Sequence, residues 1–418
     1  MTALAPAATD APATRARPRV RAPWVLIAVA AVLVLVSIVR LITDANDITS
    51  SGTAGAALRL AVPIGMAGLG GLWAERAGVV NIGLEGQLIL GTWFGAWGAY
   101  EFGAWWGVLA GIAGGALGGL VHAIATVTFG VDHIVSGVAL NILGGGVTRF
   151  LSALIFTDTP GGGVTQSPSL PRIATVTAPG SGALRTLEEK HWFVVSDIAG
   201  LLGGVITQVS LLTIVAVVLV PVSYFLLWRT KFGLRLRACG EAPGAAESLG
   251  VNVYKMKYLA VIISGGFAGL GGAFLSEVAT NIYREGQTNG RGYIGLAAMI
   301  FGNWRPGGLA VGSAIFGYTD ALQLRSGGES MHALLLLLAI VLALLGAWSL
   351  WRRRRLQGIA SLVVAAGALV WYLGSDTVPD EFVGFAPHIT TLLVLALAAQ
   401  RLRPPAADGK PYRRGEAG

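Results

Sequence analysis

Apolar residues gather along this chain into twelve runs: Trp24 to Ile42, Leu58 to Ala74, Val79 to Ala99, Ala104 to Phe129, Ile134 to Phe156, Gln208 to Trp228, Tyr258 to Thr280, Gly292 to Gly302, Gly307 to Leu324, Met331 to Trp351, Gly358 to Gly374 and Pro387 to Gln400. Most are long enough for a helix to cross roughly 30 Å of hydrocarbon. The pattern predicts an all-α, polytopic helical membrane protein. Gly292 to Gly302 is about half a spanning length, so with Gly307 to Leu324 it predicts a re-entrant pair or a broken helix, leaving ten to twelve transmembrane segments. The first run follows a basic start, as in a signal peptide, yet it has spanning length and no A-x-A site after it, so it is taken as an uncleaved span.

Charge placement orients the runs. Alternating their direction from an inside N-terminus puts 21 of the 30 lysines and arginines on the cytoplasmic side, the bias that membrane insertion produces. Residues 1–23 then form a disordered cytoplasmic tail, 24–402 the transmembrane domain, with an external loop at 157–207 and a cytoplasmic loop at 229–257, and 403–418 a second cytoplasmic tail. In the external loop, LEEKHWFVVSDIAGLL predicts one amphipathic helix on the membrane, either a plain surface element or a landing place for an external partner.

Composition agrees with this class: 54% of residues are hydrophobic and 12% charged, where soluble domains carry about 25% charged residues. The net charge of +8 comes from basic residues at the ends of apolar runs, so no nucleic-acid role is expected. A single cysteine, Cys239, excludes an intramolecular disulfide, and no cluster has metal-ligand spacing. Neither a metal, nor a cofactor, nor a catalytic residue is expected in this chain.

The long polar interruption, Arg229 to Lys257, contains Glu241, Pro243, a run of small residues to Leu249, and Gly250. It predicts a two-turn helix with an N-cap, Pro at the first helical position and Gly just past the end. So short a helix needs a protein surface to hold it. The order Gly240, Glu241, Pro243, Ala245, Ala246, Gly250 resembles the cytoplasmic coupling loop of ABC importer permeases that carry branched-chain amino acids, ribose and nucleosides. ERAGVVNIGLEGQLILG (Glu75 to Gly91), DHIVSGVALNIL (Asp132 to Leu143) and RGYIGLAAMIFGNWRPGG (Arg291 to Gly308) resemble the nucleoside branch of that group. The resemblance implies a permease without its own ATP site, and no G-x-x-x-x-G-K-[ST] loop occurs. It implies separate ABC ATPase subunits that bind ATP and Mg2+ and receive the short helix, a second and different permease chain, an extracellular substrate-binding lipoprotein, and a bacterial plasma membrane with both termini cytoplasmic. Permeases for a sugar or an amino acid, and an ion-coupled secondary transporter, are the alternatives; the last is expected to carry paired mid-membrane carboxylates.

Polar side chains inside spans are costly unless they line a cavity or find partners. Asn81, Glu85 and Gln87, beside Gly83 and Gly86, predict a broken helix lining a pathway, or else a cap with Glu85 paired to a basic residue. Asn141, Asp320 and Gln323 are further candidate pathway residues; Glu277 is a similar case. For a nucleoside, Trp73, Trp93 and Phe94 offer stacking faces. Asp132 and His133 predict an interfacial cap, with no chain of histidines joining them. Glycine runs at Gly107 to Ala123 and Ser264 to Phe274 predict close helix packing. Ile64 to Gly78 and Ile294 to Gly308 share a Gly-rich rise to Trp, then Arg and Gly, which suggests an internal repeat.

Overall fold

The computed structural model describes residues 22–383 and 402–415. Its helices, in chain order, are α1 (Ala22–Thr43), α2 (Ser51–Arg76), α3 (Leu84–Phe102), α4 (Ala104–Ala123, prolonged by a π turn, Ile124–Thr128), α5 (His133–Ile155), α6 (Ser181–Glu188), α7 (Val195–Ile206), α8 (Leu211–Arg229), α9 (Lys231–Glu241), α10 (Pro243–Ser248), α11 (Val253–Phe274, prolonged by a π turn, Leu275–Ala279), α12 (Arg291–Phe301), α13 (Pro306–Trp351), α14 (Arg355–Gly374) and α15 (Asp380–Val383). Two short strands, Thr175–Val176 and Val209–Ser210, pair antiparallel in the long loop.

Eleven of the twelve apolar runs fall on these helices; Pro387 to Gln400 lies outside the described residues. Among the described residues, seven helical segments are long and apolar enough to cross a membrane: α2, α4 with its π turn, α5, α8, α11 with its π turn, Gly327–Trp351 within α13, and α14. α3 is as long as α8 but falls short on hydropathy. Other helices enclose it, with Leu84, Leu88 and Trp93 all buried, so little of its surface has to match lipid. α13 is two helices that turn back on each other at Gly327 (φ 50°, ψ −130°), so that Tyr318 and Leu322 pack beside Met331 and Leu334, as the two separate runs predicted.

Local chemistry sets where helices start. The side chains of Ser50, Asp132, Ser210, Thr230 and Asn252 accept backbone N–H groups in the first turns of α2, α5, α8, α9 and α11, satisfying donors that a helix start leaves free. The glycine runs do pack closely. α4 crosses α11 antiparallel, and a Cβ on Gly111 would lie 2.7 Å from the Ala273 Cβ, while one on Gly115 would lie 2.6 Å from the Gly269 nitrogen. The suggested repeat segments lie side by side and parallel: a Cβ on Gly295 would sit 2.7 Å from the Ile64 carbonyl, and Trp304 donates its indole N–H to Glu75 at 2.5 Å.

Two expectations are corrected. The long loop carries two helices, α6 and α7, where one was expected, because His191 (φ 51°) and Val194 (φ 61°) turn the chain between them. The polar segment 229–257 is mainly helical, α9 preceding α10. His122 and His133 lie near each other, ring centroids 6.5 Å apart, without a hydrogen bond between them: His122 Nε2 lies 3.0 Å from the Val80 carbonyl, and the Val80 N–H donates to His133 Nδ1 at 3.1 Å. The two rings clamp the non-helical link between α2 and α3 from either side.

Candidate functional site

Midway along the bundle, two helices begin in the interior instead of at an end. α3 starts at Leu84 after a seven-residue non-helical link, and α12 starts at Arg291 after a loop with Asn281, Gly286, Asn289 and Gly290 all at positive φ. Helix starts in an apolar interior leave N–H groups that water cannot reach, each costing roughly 1–3 kcal/mol if unpaired. Side chains supply the partners. Glu85 accepts from the Gly290 N–H (3.0 Å) and the Gly292 N–H (2.7 Å), placing a carboxylate at the positive end of α12. Gly292 is required there, since a Cβ would lie 2.6 Å from the Glu85 Cα. Asn141 Oδ1 accepts from Gly86 N–H at 2.7 Å, and its Nδ2 donates to the Ile82 carbonyl and to the Tyr293 hydroxyl at 2.8 Å.

The sequence-selected residues thus separate into layers. Asn81 and Gln87 are fully buried and bonded to each other at 2.9 Å, with Asn81 also donating to Ser264. Glu85 is buried and held by backbone N–H groups, with no basic partner among the described residues. Asp320 receives Arg291 Nη2 at 2.6 Å, both side chains being largely buried, and Gln323 sits half-buried a turn further on. Asn141 and Tyr293 form the accessible edge; Tyr293 is 46% exposed. Tyr293 and Arg291 lie within the stretch Arg291 to Gly308 with no local signal of a role, because their partners, Asn141 and Asp320, become neighbours only through folding. Glu277 is fully buried with neither carboxylate oxygen bonded. Two stacking candidates fail: Trp73 and Trp93 are core residues whose indole N–H groups donate to Ser223 and Ser152.

At one end of the bundle stands the second centre. α10 begins with Pro243 at its first turn, ends one residue earlier than expected, and is followed by Gly250 at φ 79°. Its N-cap is Ala242, which has no capping side chain, and Glu241 instead faces Arg76 at 3.8 Å. Ala246 is buried beside Cys239 and Val253, whereas Gly244, Ala245, Ser248 and Leu249 are exposed. Burial pushes the Cys239 thiol up to about 11, so it stays unreactive.

A strap formed by residues 402–415 holds this helix pair to the bundle. Ala407 N–H donates to the Gly240 carbonyl at 2.8 Å, Ala406 N–H to Glu241 Oε2 at 3.2 Å, and Arg414 pairs with Glu247 at 3.1 Å. Arg403 N–H reaches Asn303 Oδ1 at 2.9 Å, tying the strap to the link between α12 and α13. Gly240 and Gly78 make room for the crossing, since a Cβ on Gly78 would lie 3.1 Å from the Ala407 carbonyl and 3.2 Å from the Gly240 Cα. Asp408 is carried in beside Glu75 and Lys257, and burial raises it to about 6.

Residues 53–345 match the family described as branched-chain amino acid transport system / permease component, and the chain belongs to that family. It is 34% identical to the guanosine ABC transporter permease protein NupQ of Bacillus subtilis, covering 86% of this chain and 96% of that one. It is 30% identical to the nucleoside ABC transporter permease protein NupC of Lactococcus lactis, over 84% and 93%, and 37% identical to a putative glucose ABC transporter permease protein, TsgC13, of Haloferax volcanii, over 68% and 80%. No solved structure matches.

Proposed function

We propose that this chain is the transmembrane permease subunit of an ATP-driven ABC importer for nucleosides, set in a bacterial plasma membrane with both termini and α10 in the cytoplasm. The observation that carries the coupling is α10 itself, a helix whose Gly244, Ala245 and Ser248 face outward while Ala246, Gly240 and the strap fix it from behind. Small residues on an outward face let a partner's groove close over the backbone. Separate ATPase subunits, binding ATP and Mg2+, dock there; when they close, α10 moves and the strap passes the motion to α2 and α12.

Solute is supplied from the opposite side by a substrate-binding lipoprotein and moves past the edge formed by Asn141 and Tyr293. There a phenol ring offers a stacking face and an amide offers hydrogen bonds, which suit a base and a ribose. Glu85, Asp320 and Gln323 stand along that route, and Asn81 and Gln87 brace it from behind. Likeness to guanosine and nucleoside permeases over most of the chain supports the substrate. Likeness to the putative glucose permease keeps a sugar as the second reading. The test is uptake of radiolabelled guanosine, uridine and glucose by cells expressing this chain with its neighbouring transporter subunits. Nucleoside uptake that ceases when the ATPase is inactivated is expected; glucose uptake alone would favour the second reading, and uptake without the ATPase would sink both.

A further inference from the structure

At the end of the bundle opposite α10, Arg59 of α2, Arg325 near the break in α13 and Arg185 of α6 line a pocket of about 520 Å3, together with Ser51, Ser181 and Glu188. The charges do not balance. Glu188 is taken by the backbone N–H of Ser51 at 2.8 Å, and Arg185 is paired with Glu189 at 3.2 Å. Arg59 and Arg325 lie within electrostatic reach of each other and have no ion pair or hydrogen bond among the described residues. The Arg325 guanidinium rests on Gly52, where a Cβ would lie 2.8 Å from its Cζ. Two like charges aimed into one pocket repel unless an anion lies between them. The volume exceeds that of a simple ion, because glycines 52, 55, 203 and 204 leave the walls bare.

α7, which supplies part of the wall, indicates which anion. It is amphipathic in the inverted sense: Ser196, Asp197, Gly200 and Gly204 are buried against the protein, while Val195, Ile198, Leu202 and Val205 form an exposed stripe. In a membrane protein such a stripe faces acyl chains. Exposed Trp192 and Phe193, with Lys190 4.7 Å above the Trp192 ring, mark the level of the headgroups. The arginines therefore open at phosphate depth beside an acyl-facing surface.

We propose that this pocket binds the headgroup of an anionic phospholipid. Arg59 and Arg325 hold the phosphodiester oxygens, Ser51 and Ser181 meet the polar headgroup, and the acyl chains lie along the stripe of α7. The site is independent of which solute is transported.

The test is lipid titration of the purified full-length chain in neutral detergent, followed by native mass spectrometry and thermal unfolding, with phosphatidylglycerol, phosphatidylcholine and glycerol 3-phosphate as probes. Phosphatidylglycerol is expected to stay bound and raise the unfolding midpoint, the other two probes at equal concentration having no comparable effect. Arg59→Gln and Arg325→Gln should each weaken that binding about fivefold, Arg325→Lys should retain most of it, and Arg149→Gln, far from the pocket, should change nothing. Selectivity of the unaltered protein is read without any variant, so a misfolded variant does not blunt the test. Equal binding of phosphatidylcholine, an equal shift with glycerol 3-phosphate, or full phosphatidylglycerol binding by the Arg59→Gln/Arg325→Gln double variant would each overturn the proposal. So would arginine variants that keep the lipid but lose a soluble binding protein, because the pocket would then receive an acidic protein side chain.

Discussion

Glu85 Oε2 accepts the backbone N–H of Gly292 at 2.7 Å, a contact spanning 207 positions of sequence. A carboxylate at the start of one interior helix thereby caps the start of another. Glu85→Ala removes both acceptors and should lower unfolding free energy by about 2–4 kcal/mol, with a matching loss of yield. Glu85→Gln keeps one good acceptor and should assemble with the ATPase while nucleoside uptake falls. Unchanged yield and uptake in both variants would release Glu85 from either role.

Arg291 and Asp320 form the largely buried ion pair beside it. Removing one partner strands the other charge, so Arg291→Met and Asp320→Leu should each cost about 3 kcal/mol of stability, whereas the double variant should recover at least half of the summed loss. Strictly additive losses in thermal unfolding would show that the two side chains do not depend on each other.

Ala245 and Ala246 differ in what a bulky residue would do. Ala245 is exposed, so Ala245→Trp should leave membrane yield intact yet reduce co-purification of the ATPase about tenfold or more. Ala246 is 2% exposed beside Cys239, so Ala246→Trp should instead overpack the loop and lower yield. Normal ATPase capture by Ala245→Trp would remove α10 as the coupling contact.

The strap should loosen as pH rises. Burial raises Asp408 to about 6 from an ordinary 3.8, so between those values the docked strap holds a proton that the free strap has released. Docking is strongest below pH about 4, weakens up to about 6 and is level above that. Spin labels on cysteines replacing Lys410 and Ser248, in a Cys239→Ser background, should give one narrow distance at pH 4.5 and a broader distribution at pH 7. Asp408→Asn should stay narrow at both; identical spectra for the unaltered strap at the two pH values would contradict the assignment.

Sidedness has its own measurement. Ser169 and Gln357 are both exposed and lie toward opposite ends of the bundle. Single cysteines there, with Cys239→Ser, should react with an impermeant thiol reagent from outside and inside respectively. Labelling of both from one face would refute the orientation.

By itself the sequence determined the class, most of the helices and the position of α10, because the signals for these are local. Hydrocarbon demands runs of apolar residues, five helix starts carry a capping Ser, Thr, Asp or Asn, and Pro243 with Gly250 brackets α10 whatever surrounds it. Glycine runs in α4 and α11 likewise announced close packing, although not that they would meet each other. Only the tertiary structure decided what the polar residues do. Asn81 and Gln87 look alike in sequence to Asn141, yet the first two close on each other and Ser264 while the third reaches an exposed tyrosine 152 positions away. A buried polar group takes its role from its hydrogen-bond partner, and here the partners come from distant segments: Gly292 for Glu85, Asp320 for Arg291, Gly240 for the strap at Ala407. Hydropathy records only the cost of burying such a group; the fold supplies the partner that offsets it.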